Sequence, residues 1–177
     1  MKPRALAVLA AALLLLGCGE AREEPTTAPT ASDPGVIHVH GLGRNPADGA
    51  VFIATHTGLF RMGSGDRSPQ RVAGLYQDTM GFTVIGPDHF LGSGHPGSTE
   101  NDPPFLGLIE SRNAGNTWRP ISLRGDADFH VLEAQGKTVY GFGSDWDTRE
   151  ARFLRSDDGG RTWTCLLYTS PSPRDRS

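Results

Sequence analysis

The chain has 177 residues, 37% of them hydrophobic and 21% charged, a composition that suits one globular domain or two small ones. A net charge of −3 and a pI of about 6.0 exclude the basic field that would hold nucleic acid. Two cysteines, Cys18 and Cys165, are too few for a disulfide-stapled fold.

Residues 1–17 read as an export signal. Lys2 and Arg4 give the charged start, and Ala5 to Leu16 is an apolar run of twelve residues. A bilayer span needs roughly 20 apolar residues, so this run fits the centre of a signal peptide. It ends in Leu15-Leu16-Gly17-Cys18, which resembles a bacterial lipobox, with Leu16 where a smaller residue is usual. The resemblance implies a lipid on Cys18, anchorage to a membrane and an extracytoplasmic place in the cell envelope. An ordinary signal peptide with an incidental cysteine is the alternative. Residues 18–34 then form a polar tether rich in Pro, Thr, Ala and Glu. Such a stretch cannot bury enough apolar surface to offset its ordering entropy.

From Gly35 to Thr164 the predicted elements are short strands between turn signals. In the first unit they are Val36–Gly43, Ala50–Thr55, Gly58–Met62 and Gln70–Ala73. In the second they are Met80–Ile85, His89–Gly92, Gly107–Ser111 and Trp118–Leu123. In the third they are Asp128–Glu133, Thr138–Phe142 and Arg152–Ser156, with a fourth strand due from Thr162. Turn residues separate the first two strands of each unit: Pro46 to Gly49, Gly86 to Asp88, and Gln135 to Lys137. No helical period occurs beyond the signal. Residues 165–177 (CLLYTSPSPRDRS) are different. Their first eleven codons can be written to match a transposase-adapter oligonucleotide, so the tail reads as adapter-derived and the natural gene as interrupted near Thr164. The segment from Cys18 to Thr164 carries 13 basic and 19 acidic residues and is more acidic than the whole chain.

Two octads mark the repeat. Ser111, Asn113, Gly115, Thr117 and Trp118 recur as Ser156, Asp158, Gly160, Thr162 and Trp163, 45 residues later. Both resemble the Asp-box of the BNR repeat, S-x-D-x-G-x-T-W, the first with Asn113 for Asp. Ser and Asp side chains can bond local backbone N–H groups, and Gly can take positive φ, so the octad suits a hairpin turn with a structural role. A degenerate first copy, Gly63 to Asp66, lacks the Trp. A period of about 45 residues with four short strands is a propeller period, and the fold class is therefore all-β, a partial β-propeller of about three blades. Three blades cannot close a ring, which sets the expectation of a longer natural protein.

In such a blade the first strand lines the channel, and the connections after the second and fourth strands open on one face. His38 and His40 lie on the first inner strand, and His130 begins the third beside Asp128. His56 and His95 end second strands, with Asp145 and Asp147 at the matching place in the third unit. Only His89 falls on the other face. The ligand-binding candidates are therefore His38, His40, His56, His95, His130 and Asp145. Imidazole and carboxylate ligate transition metals and serve as acids and bases. They also satisfy the hydrogen bonds of a hydrated polar channel. No closed metal motif or cofactor motif is present, and a divalent metal would fall first to His38 and His40. Gly97 to Pro104 is a long polar loop on the same face. Phe82, Phe129, Tyr140 and Trp146 read as inter-blade core or as neighbours of that loop.

Val36 to Thr164 as a whole resembles BNR-repeat lipoproteins of bacterial envelopes, of the kind described as glycosyl-hydrolase-like or exo-sialidase-like. The carrying residues are His38-Val39-His40-Gly41-Leu42, Met80-Gly81-Phe82, Ser93 to Gly97, Asp128-Phe129-His130 and the two octads. The resemblance implies a six- or seven-bladed ring and glycoside hydrolysis. The nearest counterpart of the sialidase Arg-Ile-Pro segment, Phe60-Arg61-Met62-Gly63, lacks the proline. The expected function is binding of a carbohydrate or protein ligand at the channel face. Two alternatives stand beside it: a glycoside hydrolase using Asp128, Asp145 or Asp147, and a metal-binding envelope lipoprotein.

Overall fold

A computed structural model of the chain describes residues 32–97, 103–144, 148 and 150–169, the last three as backbone alone. The signal, Cys18, almost all of the tether, Asp145, Trp146, Asp147 and the end of the tail lie outside the described residues. The compact unit begins at Asp33.

Twelve strands, and no helix among the described residues, form three antiparallel four-stranded sheets. The first holds β1 (Val39–Arg44), β2 (Val51–Thr55), β3 (Gly58–Met62) and β4 (Gln70–Arg71). The second holds β5 (Asp78–Gly86), β6 (His89–His95), β7 (Leu108–Ser111) and β8 (Arg119–Ser122). The third holds β9 (Asp128–Gln135), β10 (Thr138–Ser144), β11 (Ala151–Ser156) and β12 (Thr164–Thr169). Within each sheet spatial order follows chain order. The first strands of the sheets neighbour one another, β1 beside β5 and β5 beside β9. Sheets radiating from adjacent first strands are the blades of a partial β-propeller, as the 45-residue period predicts.

The core lies between blades. Phe52, Ala54, Leu59 and Val72 of the first blade pack with Phe82 and Phe90 of the second, and Trp118 packs against them. Leu91 and Leu108 of the second pack with Phe129, Leu132 and Val139 of the third, joined by Trp163. Phe52, Phe90 and Phe129 are fully buried. Phe82 and Phe129 are thus inter-blade core. Alternation along the strands supplies these faces: Phe52 and Ala54 are buried while Val51 is 38% exposed.

The octads form the turns between third and fourth strands. Ser156 Oγ accepts from Gly160 N at 2.8 Å and donates to Asp158 Oδ1 at 2.8 Å. Asp158 Oδ1 also accepts from the Arg161 and Thr162 amides, each at 2.9 Å, and Oδ2 accepts the Thr162 hydroxyl at 2.7 Å. Asn113 keeps most of this network, with the Asn116 amide turned to the Asn113 backbone carbonyl at 3.2 Å and one bond reversed. Its Oδ1 accepts from Thr117 N at 2.9 Å, but its Nδ2 donates to Thr117 Oγ1 at 3.0 Å. A hydroxyl can serve either way, which is why Asn replaces Asp here without loss of the turn. Trp163 Nε1 donates to Ser122 Oγ of the preceding blade at 3.0 Å.

Several boundaries differ from the predicted ones. Val36 to His38 precede β1 because His38 takes a left-handed backbone, φ 54°. Ala73, at φ 52°, stops β4 after two residues. The second inner strand begins at Asp78 rather than Met80. The fourth strand of the third blade begins at Thr164 and runs on through Cys165, which pairs with Leu154.

Candidate functional site

The two ends of the blades differ in chemistry. At one end are the turns. Asn45 Nδ2 donates to Asp88 Oδ1 at 2.8 Å, and Ala114 N and Gly159 N donate to the Asp88 and Lys137 carbonyls. His89 lies at this end, with Nε2 2.6 Å from Glu110 Oε1. Here too is a cleft of about 730 Å³, lined by His89, Glu110, Arg112, Lys137 and Arg161 among others. Its buried carboxylate is already saturated: Glu110 meets His89, Arg112 at 2.7 Å and Arg119. Burial pushes Glu110 up, but these three partners outweigh it and hold the carboxyl below its ordinary range.

The other end carries the remaining histidines. Each inner strand has a bulge near its start. Register shifts fall between Val39 and Gly41, between Thr79 and Phe82, and at Phe142/Gly143 opposite Phe129 and Val131. An extra residue re-aims its side chain, and the residues within these bulges include His40, Met80 and His130. The pairings Thr55–Val39, Gly94–Thr79 and Gly143–Phe129 put His38, Asp78 and Asp128 at one equivalent position. They put His56, His95 and Ser144 opposite.

These residues meet across the blade boundaries. Asp78 of β5 lies with Oδ2 2.7 Å from His56 Nδ1 and Oδ1 3.3 Å from His40 Nε2, both from the first blade. Asp128 of β9 lies with Oδ2 3.3 Å from His95 Nε2 of the second blade and 3.0 Å from His130 Nε2. A histidine at the end of one blade's second strand thus reaches an aspartate at the start of the next blade's first strand, twice. His38 stacks on His40 at 5.2 Å between ring centroids. Close glycines make the approach possible: a Cβ on Gly94 would collide with the Asp78 carbonyl, and one on Gly143 with that of Asp128. Gly94 moreover sits at φ 137°, outside the range of other residues.

The two clusters are charged differently. Both ring nitrogens of His95 face acceptors: Nδ1 lies 2.8 Å from the Pro104 carbonyl and Nε2 faces Asp128. The Asp128 carboxylate, against the pull of burial and with help from Pro104 and Asp78, raises its pKa to about 9, so it is a cation at neutral pH. His40 is shifted the other way. Burial lowers its pKa, Asp78 opposes this, and His38, His56 and His130 repel a proton on it. His40 is therefore a neutral imidazole with a basic nitrogen.

Some buried polar atoms here have no hydrogen-bond partner: His40 Nε2, Asp78 Oδ1 and Asp128 Oδ1. The first two are 3.3 Å apart but out of alignment for a hydrogen bond. Buried polar atoms are nearly always satisfied, so their concentration at one end marks that end as the place for a ligand. The structure brings His38, His40 and His56 together and sets His95 and His130 on Asp128. Asp145 and Asp147 lie outside the described residues. Asp78, central to the first cluster, was not among the residues singled out from sequence. Its signal is the parallel between Asp78-Thr79-Met80 and Asp128-Phe129-His130.

In overall fold the chain is similar to an ancestral GH74 enzyme seen in a crystal structure, with a TM-score of 0.54 and 13% identity. The match covers 77% of this chain and 19% of that one, so the chain spans about a fifth of its neighbour's length. At that identity the likeness concerns the fold, which is that of a β-propeller. No protein-family model matches the chain, and no curated protein matches it.

Proposed function

We propose that the chain is a membrane-anchored, extracytoplasmic propeller of the Asp-box type that binds a carbohydrate or protein ligand at the His/Asp end of its inner strands. One observation carries this reading: buried carboxylate and imidazole atoms without hydrogen-bond partners gather at that end, whereas the buried carboxylate of the opposite cleft is saturated. The octads act as turns and take no part in binding. Lipid attachment at Cys18 supplies the anchor, and residues 19–34 the spacer.

A second reading is favoured by the GH74 neighbour: hydrolysis of a glycoside, with Asp128 as one of the two acidic groups that the reaction needs. A panel of immobilised glycans and chromogenic glycosides separates the two. Binding without turnover, weakened by His130→Ala and Asp128→Asn, supports the binding reading. Turnover abolished by Asp128→Asn supports the hydrolase. Binding unchanged by both substitutions refutes placement at this end. Labelling of expressing cells with radioactive palmitate tests the anchor, which Cys18→Ala should abolish.

A further inference from the structure

We propose that His40, His56 and Asp78 form a binding site for one divalent first-row transition-metal ion at the junction of the first two blades. The inference rests on the reading that the His/Asp end is the binding face, and it names a ligand for that face.

The donor atoms are already gathered. One ligand atom from each of the three residues lies within 4.8 Å of the other two. Around an ion with bonds of about 2.1 Å, neighbouring donors sit roughly 3 to 3.5 Å apart. The His40 Nε2 to Asp78 Oδ1 distance of 3.3 Å falls in that range. Those two atoms face one another without forming a hydrogen bond, and neither has another partner. Two donors sharing an unshared space are what an ion between them would require. His56 Nδ1 approaches the same carboxylate at 2.7 Å and would have to open slightly to take its place as third ligand.

The chemistry of the set points the same way. Two imidazoles and one carboxylate suit zinc, copper or ferrous iron and disfavour calcium or magnesium, which prefer oxygen. Asp78 is 13% exposed and His40 17%, so the inner side of the site is fixed by packing. His56 is 62% exposed, which leaves a path from solvent. Three protein ligands leave at least one coordination position open to water or a bound molecule. His38, stacked on His40, is the nearest further imidazole. The second cluster is different: the Nε2 of His95 carries a proton toward Asp128, and that pair is an ionic tie between blades.

The test uses the chain purified without an affinity histidine tag and stripped with a chelator. Titration with Zn²⁺ by calorimetry should show one ion per chain. His56→Ala and Asp78→Asn should each weaken binding by roughly 100-fold or more, since each removes a ligand. His89→Ala, at the opposite end, should leave it unchanged. Circular dichroism confirms that each variant keeps its strands. The unsubstituted chain gives an independent readout: Co²⁺ should produce visible absorption bands of a four- or five-coordinate site that Zn²⁺ displaces. Absence of saturable Zn²⁺ binding by the folded chain overturns the inference, as does binding that both substitutions leave intact. Glycan or protein binding by a chain that takes up no Zn²⁺ would sink the metal inference alone. Zinc binding by a chain that binds no glycan or protein would sink the earlier reading alone.

Discussion

The tie between His95 and Asp128 should make the protein lose stability in mild alkali. His95 is the group that titrates, and the groups facing it are Asp128 across the boundary, the Pro104 carbonyl, Asp78 paired with it on β5 and His130 on the same carboxylate. Its pKa rises from 6.5 to about 9 on folding. A raised pKa stabilises the fold fully below the unfolded value, and this contribution is lost as pH climbs through the folded one. In a dry pair the change would amount to about 3 kcal/mol, at about 1.4 kcal/mol for each tenfold change in proton affinity. The His95 ring is 36% exposed, however, and solvent screening reduces the contribution to about 1 kcal/mol. For a domain of this size that corresponds to about 3 °C in melting temperature. Thermal melts between about pH 7 and pH 10 should show the unsubstituted chain losing this much more than His95→Gln or Asp128→Asn. The His95 ring resonances should titrate near the raised value. Titration near 6.5, or parallel melting curves for all three proteins, would refute the assignment.

Four further outcomes follow from the packing and the hydrogen bonds. Gly94→Ala should cost about 2 to 4 kcal/mol in chemical denaturation and weaken ligand or metal binding, because the Cβ meets the Asp78 carbonyl at a backbone angle that alanine avoids. Ser156→Ala should cost about 1 to 3 kcal/mol, because it strands the buried Gly160 amide, while Asn113→Asp should change stability by less than about 0.5 kcal/mol. The carboxyl of Asp158 is held well below its ordinary pKa, first by the Thr162 amide and hydroxyl and then by Ser156. This depressed pKa makes the advantage of aspartate over asparagine at the position greatest near neutral pH and smaller as acid protonates the carboxylate. Melts of Asp158→Asn against the unsubstituted chain at about pH 7 and about pH 2 read this directly.

The fold was legible because its signals are local. Two octads at a fixed interval announce repeated hairpins, and the turn pairs around Asp88 and Lys137 place the strands between them. Less legible were the places where tertiary contact sets the backbone. His38 looks like an ordinary strand residue, but its left-handed turn, with the His56 amide bonded to the Ile37 and His38 carbonyls, takes it out of β1. The histidines could be grouped on one face from alternation and blade topology alone. Their partners could not. Asp78 lies before the apolar run that marks the second inner strand, in a stretch of mixed polarity. Only alignment of the second and third blades on Gly94 and Gly143 reveals it as the counterpart of Asp128.

That alignment also explains why a repetitive scaffold holds an unequal set of polar side chains. The geometry repeats: a bulge on the inner strand and a polar residue before it, with a glycine opposite in the second and third blades and Thr55 in the first. The residues placed there vary, as His38, Asp78 and Asp128 before the bulge and His40, Met80 and His130 within it. A purely structural tie between blades would need one histidine and one aspartate at each junction, which His56–Asp78 and His95–Asp128 provide. His40 is not needed for that purpose. It is half-buried, its Nε2 has no hydrogen-bond partner, and desolvation together with three neighbouring imidazoles disfavours its protonation. Burying such a nitrogen costs about 1 to 3 kcal/mol when nothing meets it. The fold carries that cost at the first junction, where His56 and Asp78 already stand within reach of a shared ligand.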